Sequence, residues 1–209
     1  MHKDKQIRLM IRNILLEAAV FDKALTGKYE NQPALVFGPG AKAYLTSPDR
    51  GQLRLSGEEF DLVFKRLNNT TLEKFQKYDS AFKTHGNAHD ISSSLLKAMA
   101  IEETTLGKHL INQKGGSAAG LIQITKGTID TLNNNIPKDV HYNYSDVLTN
   151  PTFSVKVVAH YIDAFLKKKR DLSDEAAYLR AYKTGPDSEN YVKRVNTFKK
   201  LVNIIGLAS

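Results

Sequence analysis

The 209-residue chain contains no cysteine, which excludes disulfides, thiol redox chemistry and thiolate metal sites. It also has no run of about 18 apolar residues, the length that a membrane-spanning helix needs, so we expect no transmembrane segment. Its charged N-terminal stretch has apolar residues at helical spacing and no small-residue cleavage site, which predicts that no signal peptide is present. Internal repeats and low-complexity tracts are lacking as well. The sequence therefore predicts a protein that folds around its own core.

The charge balance is basic, with 30 Lys and Arg against 22 Asp and Glu and a formal net charge of +8. Such an excess favours a polyanionic partner, which includes nucleic acid, an anionic cell envelope and a membrane surface. Charge alone does not choose among the three. A solvated surface explains the same excess equally well.

The first part of the chain, residues 1–86, is predicted to form a helical extension. An amphipathic helix is expected over residues 4–25, and the Pro- and Gly-rich stretch 33–55 is expected to be a loop with a small hairpin at most. Two capping boxes predict two further helices, one from Ser56 and Glu59 to about Leu67, the other from Thr70 and Glu73 to about Lys83 with a stop at Gly86.

The second part, residues 87–209, is predicted to be a helical domain almost without strands, so the fold class is mainly α. The expected helices are one over 91–106 capped by Asp90 and closed by Gly107, one over 120–133, a long one starting at Asn150-Pro151, one capped by Ser173, and one capped by Asp187 or Ser188 that ends at Gly206. The run Lys167-Lys168-Lys169-Arg170 is interpreted as a solvated helix end.

Two histidines four residues apart, His85 and His89, have the separation of a metal-ligand pair. They lie in a Gly-Asn stretch with Asp90 beside them and no obvious third or fourth ligand. We therefore predict no metal site.

A carboxylate within the apolar segment 95–107, LLKAMAIEETTLG, is a candidate general acid. Burial raises the pKa of a carboxyl group toward the value that a general acid needs at neutral pH. Both Glu102 and Glu103 qualify. A helical projection puts Glu102 nearer the centre of the apolar stripe and Glu103 nearer its edge, so periodicity does not choose between them. Adjacent helical residues point about 100° apart and do not form a facing pair of carboxylates.

Two further segments contain groups suited to binding. The small residues of GGSAAGLIQIT (115–125) allow a close backbone approach, and Gln123 offers both a donor and an acceptor. The segment RAYKTGPDSENYVKRV (180–195) places Tyr182 and Tyr191 on either side of a Gly-Pro turn, and tyrosines can offer hydroxyls and ring faces to a sugar. Taken singly, the first pattern is explained equally well by a tight loop before a packed helix, and the second by tyrosines buried in the core.

Together the three segments resemble the catalytic domain of soluble lytic transglycosylases, a lysozyme-like family that includes phage endolysins and is related to goose-type lysozymes. The resemblance spans about residues 90–198. Its motifs are a helix ending in Glu-Ser, a turn into Gly-Leu-Met-Gln, and Ala-Tyr-Asn-Ala-Gly-Pro followed by Tyr-Val, matched here by Glu103-Thr104, by Gly120-Leu121-Ile122-Gln123, and by Ala181-Tyr182-Lys183-Thr184-Gly185-Pro186 with Tyr191-Val192. Asn150-Pro151 matches a minor Asp-Pro element.

The resemblance implies a lysozyme-like fold and cleavage of peptidoglycan glycan strands, without a cofactor or metal. It implies that Glu103 is the one catalytic acid and base: it protonates the oxygen between N-acetylmuramic acid and N-acetylglucosamine, and then takes a proton from the muramic C6 hydroxyl as a 1,6-anhydro ring closes. Glu102 becomes a residue that packs in the core or supports Glu103 without touching the sugar. The implied substrate-binding residues are Thr104, Ser117, Ile122, Gln123, Tyr182 and Tyr191.

Three positions depart from the family pattern. Thr104 in place of Ser keeps the hydroxyl, and Ile122 in place of Met keeps an apolar contact. Lys183 in place of Asn introduces a cation beside the expected sugar cleft. That substitution removes the side-chain amide that family members have there.

Since no export signal is expected, we predict a phage endolysin that stays in the host cytoplasm until its release to the wall, or a virion-associated enzyme. The expected partner is peptidoglycan rather than nucleic acid, and a monomer is expected. Two alternatives stay open. One is a goose-type-like lysozyme, a hydrolase for which Asp130 is the candidate second carboxylate; the other is a virion structural or nucleic-acid-binding protein that keeps the fold without activity.

Overall fold

The structure is a computed structural model that describes residues 34–38, 42–47, 51–54, 57–67, 75–108, 110–111 and 118–205. The chain divides into two compact units, one of residues 1–61 and 203–206 and the other of residues 62–202 and 207–209. The domain boundary predicted after residue 86 stays a prediction. The expected helix over 4–25 and the capping box at Thr70 lie outside the described residues.

The smaller unit contains a three-stranded antiparallel sheet. Its strands are β1 (Ala34–Gly38), β2 (Lys42–Ser47) and β3 (Gly51–Arg54), in that spatial order. In the register, Leu45 of β2 pairs with Leu35 on one side and Leu53 on the other. The prediction of a loop with at most a small hairpin is therefore wrong. The apolar pieces between the turn residues are long enough to pair as three strands.

Helices make up most of the remaining described residues, which confirms the mainly α prediction. They are α1 (Gly57–Leu67), α2 (Asp79–Ala88), α3 (Ser93–Thr104), α4 (Lys126–Asn133), α5 (Tyr144–Thr149), α6 (Phe153–His160), α7 (Glu175–Tyr182) and α8 (Ser188–Ile205). A 3₁₀ turn spans Lys138–Val140, and α6 continues without a break as a π-helix over Tyr161–Lys169. The expected long helix is therefore present.

Helix α3 is the most buried helix of the larger unit, with nine of its 12 residues buried. It begins later than predicted because Ser92, rather than Asp90, is its N-cap and accepts a hydrogen bond from the Leu95 amide at 3.3 Å. Asp90 has a left-handed backbone, with φ of 51°. The helix ends where Thr105 turns left-handed, two residues before the predicted stop at Gly107.

Gly86 does not end its helix, contrary to the prediction. A Cβ at this position would lie 2.6 Å from the Ile91 carbonyl oxygen and 2.9 Å from the Ser93 hydroxyl. The residue is therefore glycine because the chain that leads into α3 passes directly against it. Helix α2 continues to Ala88.

The predicted helix over 120–133 is wrong in its first turn and a half. Residues 118–125 instead form a small hairpin of β4 (Ala118–Ala119) and β5 (Ile124–Thr125), and α4 starts only at Lys126. The Thr125 hydroxyl caps α4 by accepting a hydrogen bond from the Thr128 amide at 3.1 Å. The capping residue Thr125 therefore lies inside the segment 120–133, which the periodicity had assigned wholly to helix.

The lysine run at the end of the π-helix makes local contacts, as expected of a solvated helix end. Lys167 pairs with Asp90 at 3.3 Å, Lys168 pairs with Asp163 at 3.1 Å, and Lys169 contacts Asn135. Helices α7 and α8 begin close to the predicted caps, with Asp174 rather than Ser173 capping α7.

A buried ion pair joins α2 to α3. The Lys97 ammonium lies 2.6 Å from Asp79 Oδ1 and 3.8 Å from the centre of the Phe75 ring, and the side chains of Lys97 and Asp79 are 0% and 2% exposed. Burial lowers the pKa of Lys97 to about 8, and the contact with Asp79 opposes that effect. The pair fixes the helix that carries the candidate acid.

We predict that Lys97→Met lowers the free energy of unfolding by about 3–5 kcal/mol, because Asp79 then stays buried without this cation. The double variant Lys97→Met/Asp79→Leu should be more stable than either single variant, since it removes both buried charges. Urea unfolding followed by circular dichroism tests this. Additive losses in the double variant would show that the two groups do not act as a pair.

Candidate active site

The two glutamates at the end of α3 have different surroundings. The Glu102 side chain is 6% exposed and that of Glu103 is 11% exposed. The Glu102 carboxylate accepts a hydrogen bond from Arg194 Nε at 2.8 Å and lies 3.4 Å from a terminal nitrogen of Arg66. Glu102 is therefore held in a structural ion pair, and Glu103 is the candidate acid of the two.

Arg194 connects α3 with the turn before α8. Besides Glu102, its guanidinium binds both oxygens of Asp187, at 2.7 and 3.3 Å. These contacts raise the pKa of Arg194 well above its usual range, and the contact with Asp187 is the largest cause. The link ties the segment of Lys183 and Tyr191 to the helix of Glu103.

The Glu103 carboxyl group has a raised pKa. Burial is the largest cause, and the negative charge of Glu102 adds to it; Lys183, whose ammonium lies 3.6 Å away, and the Tyr191 hydroxyl both act in the opposite direction. Tyr191 lies near enough to affect the carboxyl group, although no hydrogen bond of regular geometry joins the two. Burial prevails, so the neutral acid is favoured.

Thr104 is 1% exposed and connects the first segment with the second. Its hydroxyl contacts the carbonyl oxygens of Ala100 and Leu121, at 3.0 and 2.9 Å, and accepts a hydrogen bond from the Gly107 amide at 3.0 Å. With these backbone partners, the hydroxyl holds the end of α3 against the β4–β5 turn.

The turn between β4 and β5 depends on two left-handed residues, Gly120 with φ of 79° and Gln123 with φ of 38°. A Cβ on Gly120 would lie 2.4 Å from Cβ of Ser154, so helix α6 approaches too closely for any side chain here. The Gln123 side-chain amide donates to the carbonyl oxygens of Gly120 and Leu110, at 3.0 and 3.2 Å. Gln123 thereby stabilises its own strained turn.

Tyr182 connects the third segment with the second. Its hydroxyl donates to the Ile122 carbonyl oxygen at 2.5 Å, and its ring stacks on that of Tyr191 with centres 6.4 Å apart. The Ile122 side chain is fully buried. Burial raises the pKa of both tyrosines, and the nearby Glu103 adds to the effect, so both hydroxyls keep their protons.

The Tyr191 hydroxyl is a buried donor with no hydrogen-bond partner in the described part of the chain. Such groups are rare in folded proteins because leaving one unpaired costs about 1–3 kcal/mol. An unpaired donor beside Glu103 can stabilise the carboxylate once that group has given up its proton.

Among the predicted site residues, the structure gathers Glu103, Thr104, Ile122, Gln123, Tyr182 and Tyr191 through the contacts described above, while Ser117 lies outside the described residues. Asp130 is 53% exposed and pairs with Lys126 at 2.9 Å. It is therefore a surface ion-pair partner and not a desolvated carboxylate.

Sequence reasoning missed Arg194, Arg66 and Asp187. Arg194 and Asp187 both lie in the segment 180–195, and Arg194 follows Tyr191 by three residues on the same face of α8. The spacing places Arg194 on the face of α8 that carries Tyr191, and a buried Glu102 needs a cation as its partner. These two signals together could have identified Arg194.

Within the described residues, no group of three or more His, Asp and Glu side chains is placed to hold a metal ion. His89 instead stacks on His160 with ring centres 4.7 Å apart, and its Nδ1 lies 3.4 Å from Asp163. None of the described helices is long and apolar enough to cross a bilayer.

We predict that two substitutions shift the pKa of Glu103 in opposite directions. Glu102→Gln should lower it, because the negative charge that disfavours the carboxylate is lost, and Lys183→Asn should raise it, because the cation that favours the carboxylate is lost. Carbon-13 NMR of the labelled carboxyl groups measures both shifts. The exposed Glu58→Gln is the control, and equal shifts of one sign in both variants would contradict the charge assignment.

Residues 80–204 match the family described as Transglycosylase SLT domain. No curated protein and no solved structure gives a match. Members of this family have a lysozyme-like fold and are lytic transglycosylases acting on peptidoglycan. The match covers more than half of the chain and includes all three motif segments, and on this basis the chain belongs to the SLT transglycosylase family.

Proposed function

We propose that this protein cleaves the β-1,4 bond between N-acetylmuramic acid and N-acetylglucosamine in peptidoglycan and leaves a 1,6-anhydro end. The observation that carries the proposal is the buried Glu103 carboxyl group, whose pKa is raised and which faces the Tyr191 hydroxyl. A single neutral carboxyl group suffices for this reaction, whereas hydrolysis needs a second carboxylate or a positioned water.

In the first step, Glu103 gives its proton to the glycosidic oxygen as the bond to the muramic anomeric carbon breaks. The acid must start protonated, so activity should fall as the pH rises through its raised pKa. The Tyr191 hydroxyl then stabilises the new carboxylate. The sugar's own N-acetyl group stabilises the developing positive charge.

In the second step, the Glu103 carboxylate accepts the proton of the muramic C6 hydroxyl, and the C6 oxygen bonds to the anomeric carbon. The 1,6-anhydro ring closes and Glu103 regains its proton, so the enzyme returns to its starting state. No water is consumed.

We assign the saccharide contacts from the exposed fraction of each predicted binding residue. Thr104, Ile122 and Tyr191 are almost fully buried, so we assign Thr104 and Ile122 to positioning the site and Tyr191 to contacting Glu103. Gln123 and Tyr182 are partly exposed and are the residues that we expect to contact the sugar directly. A contact from Ser117 stays a prediction.

The biological setting also stays a prediction. A phage endolysin held in the host cytoplasm until release, or a virion-associated enzyme, would act on the same bond. The net charge of +8 supports association with the anionic wall. That the protein is a monomer and that it has no nucleic-acid partner also stay predictions.

We predict that Glu103→Gln abolishes digestion of purified peptidoglycan, because the amide neither donates nor recovers the proton. Mass spectrometry of the wild-type products should show 1,6-anhydro ends, 18 Da below reducing ends by the mass of one water. The control is Glu58→Gln, which removes an exposed glutamate. Reducing ends would indicate a hydrolase instead, and full activity of Glu103→Gln would remove Glu103 from the mechanism.

We predict a separation of activity from stability in Tyr191→Phe. Loss of a hydrogen bond to a charged group should lower kcat by roughly ten- to hundredfold. The free energy of unfolding should be unchanged or higher, because the deleted hydroxyl is buried and unpaired. Thermal unfolding and kcat, measured on one preparation, test this, and parallel losses of both would indicate a structural role only.

A further inference from the structure

Lys183 is a cation in direct contact with the candidate acid. It follows the last residue of α7, and its ammonium lies 3.6 Å from Glu103 Oε1 and 5.4 Å from the centre of the Tyr191 ring. The side chain is 42% exposed, so its charged end reaches solvent beside the buried carboxyl group. No other lysine of the described residues forms an ion pair with Glu103.

This placement conflicts with the first step of the reaction. A cation at 3.6 Å favours the carboxylate form of Glu103, whereas the acid must be neutral to donate. The other groups that face Glu103 do not remove the conflict. Tyr182 and Tyr191 are neutral, and Glu102 already has Arg194 and Arg66 as partners.

Protonation of Glu103 leaves Lys183 without its ion-pair partner. The charge of Asp187 lies near enough to act on Lys183, but Asp187 is paired with Arg194 through both oxygens and forms no ion pair with Lys183. A carboxylate brought by the substrate would restore the balance of charge. Peptidoglycan carries such groups, either on the lactyl ether of N-acetylmuramic acid, where no stem peptide is attached, or on the stem peptide itself.

We propose that Lys183 determines substrate specificity by binding a carboxylate of the peptidoglycan strand, which replaces Glu103 as the partner of this cation when saccharide occupies the site. The inference rests on the proposed function. The exchange forms and breaks no covalent bond other than the O–H bond of Glu103, whose proton comes from solvent. Binding of a charged strand thereby leaves Glu103 protonated and able to donate its proton to the glycosidic oxygen.

Three soluble glycan strands of equal length test the proposal. The first has free lactyl carboxylates after an amidase has removed the stem peptides, and the second keeps its stem peptides. The third is the first strand with its carboxylates converted to neutral amides by carbodiimide coupling to methylamine. KM and kcat are measured for the full chain as wild type, Lys183→Asn, Lys183→Arg and the control Lys138→Asn, which removes an exposed lysine of the 3₁₀ turn.

The wild type should bind a carboxylate-bearing strand with a KM about fivefold below that of the neutral strand, as suits a partly exposed ion pair. Lys183→Asn should lose this difference, while Lys183→Arg and Lys138→Asn should keep it. The charged strand that shows the lower KM identifies the carboxylate. Equal KM values for the wild type on all three strands, or a preference kept by Lys183→Asn, would overturn the proposal.

The pH profile provides a readout that a purely structural role would not change. For the wild type, the alkaline limb of kcat should lie at higher pH on the charged strand than on the neutral strand, because the substrate carboxylate compensates the cation. In Lys183→Asn the two limbs should coincide. The failure of the proposed function is distinguishable, since the wild type would then cleave none of the three strands or would leave reducing ends. Cleavage of all three strands to 1,6-anhydro ends without discrimination would overturn this inference alone.

Discussion

The removal of water from one carboxyl group is the constraint on which the rest of the site depends. Glu103 sits at the end of α3, a helix whose residues from Leu95 to Glu102 are all buried. A carboxyl group there cannot be charged without a cost in desolvation. The surrounding groups adjust this cost rather than create it: Glu102 increases it, and Lys183 and Tyr191 decrease it.

Three side-chain contacts hold the site together, and each joins a different pair of motif segments. Thr104 binds the Leu121 carbonyl oxygen, Tyr182 binds that of Ile122, and Glu102 binds Arg194. None of the three contacts occupies the Glu103 carboxyl group. The segments are thus fixed relative to one another while the acid and the Tyr191 hydroxyl stay available, which is the pre-organisation that general acid catalysis requires.

The sequence predicted most of the helices from burial patterns and caps, which are local signals, whereas the site residues followed only from the resemblance to the transglycosylase family. It predicted the wrong structure for residues 120–125, because the turn is held by contacts outside it that no local pattern shows. The Leu110 carbonyl oxygen accepts hydrogen bonds from the Gly120 amide and the Gln123 side chain, and the Ser154 hydroxyl accepts one from the Ile122 amide. Helical periodicity also left Glu102 and Glu103 equivalent. The difference between them comes from Arg194 and Arg66, and only the folded chain brings these cations to Glu102.

The protonation state of Glu103 in the folded protein is the most direct test of this account. Infrared difference spectra between the wild type and Glu103→Gln, recorded across a pH titration, isolate the C=O stretch of the protonated carboxyl group. Because burial favours the neutral acid, this band should persist above pH 4.5, the ordinary pKa of a glutamate. A band that disappears at or below pH 4.5 would show that burial does not keep Glu103 protonated, and Glu103 would then not be the general acid proposed here.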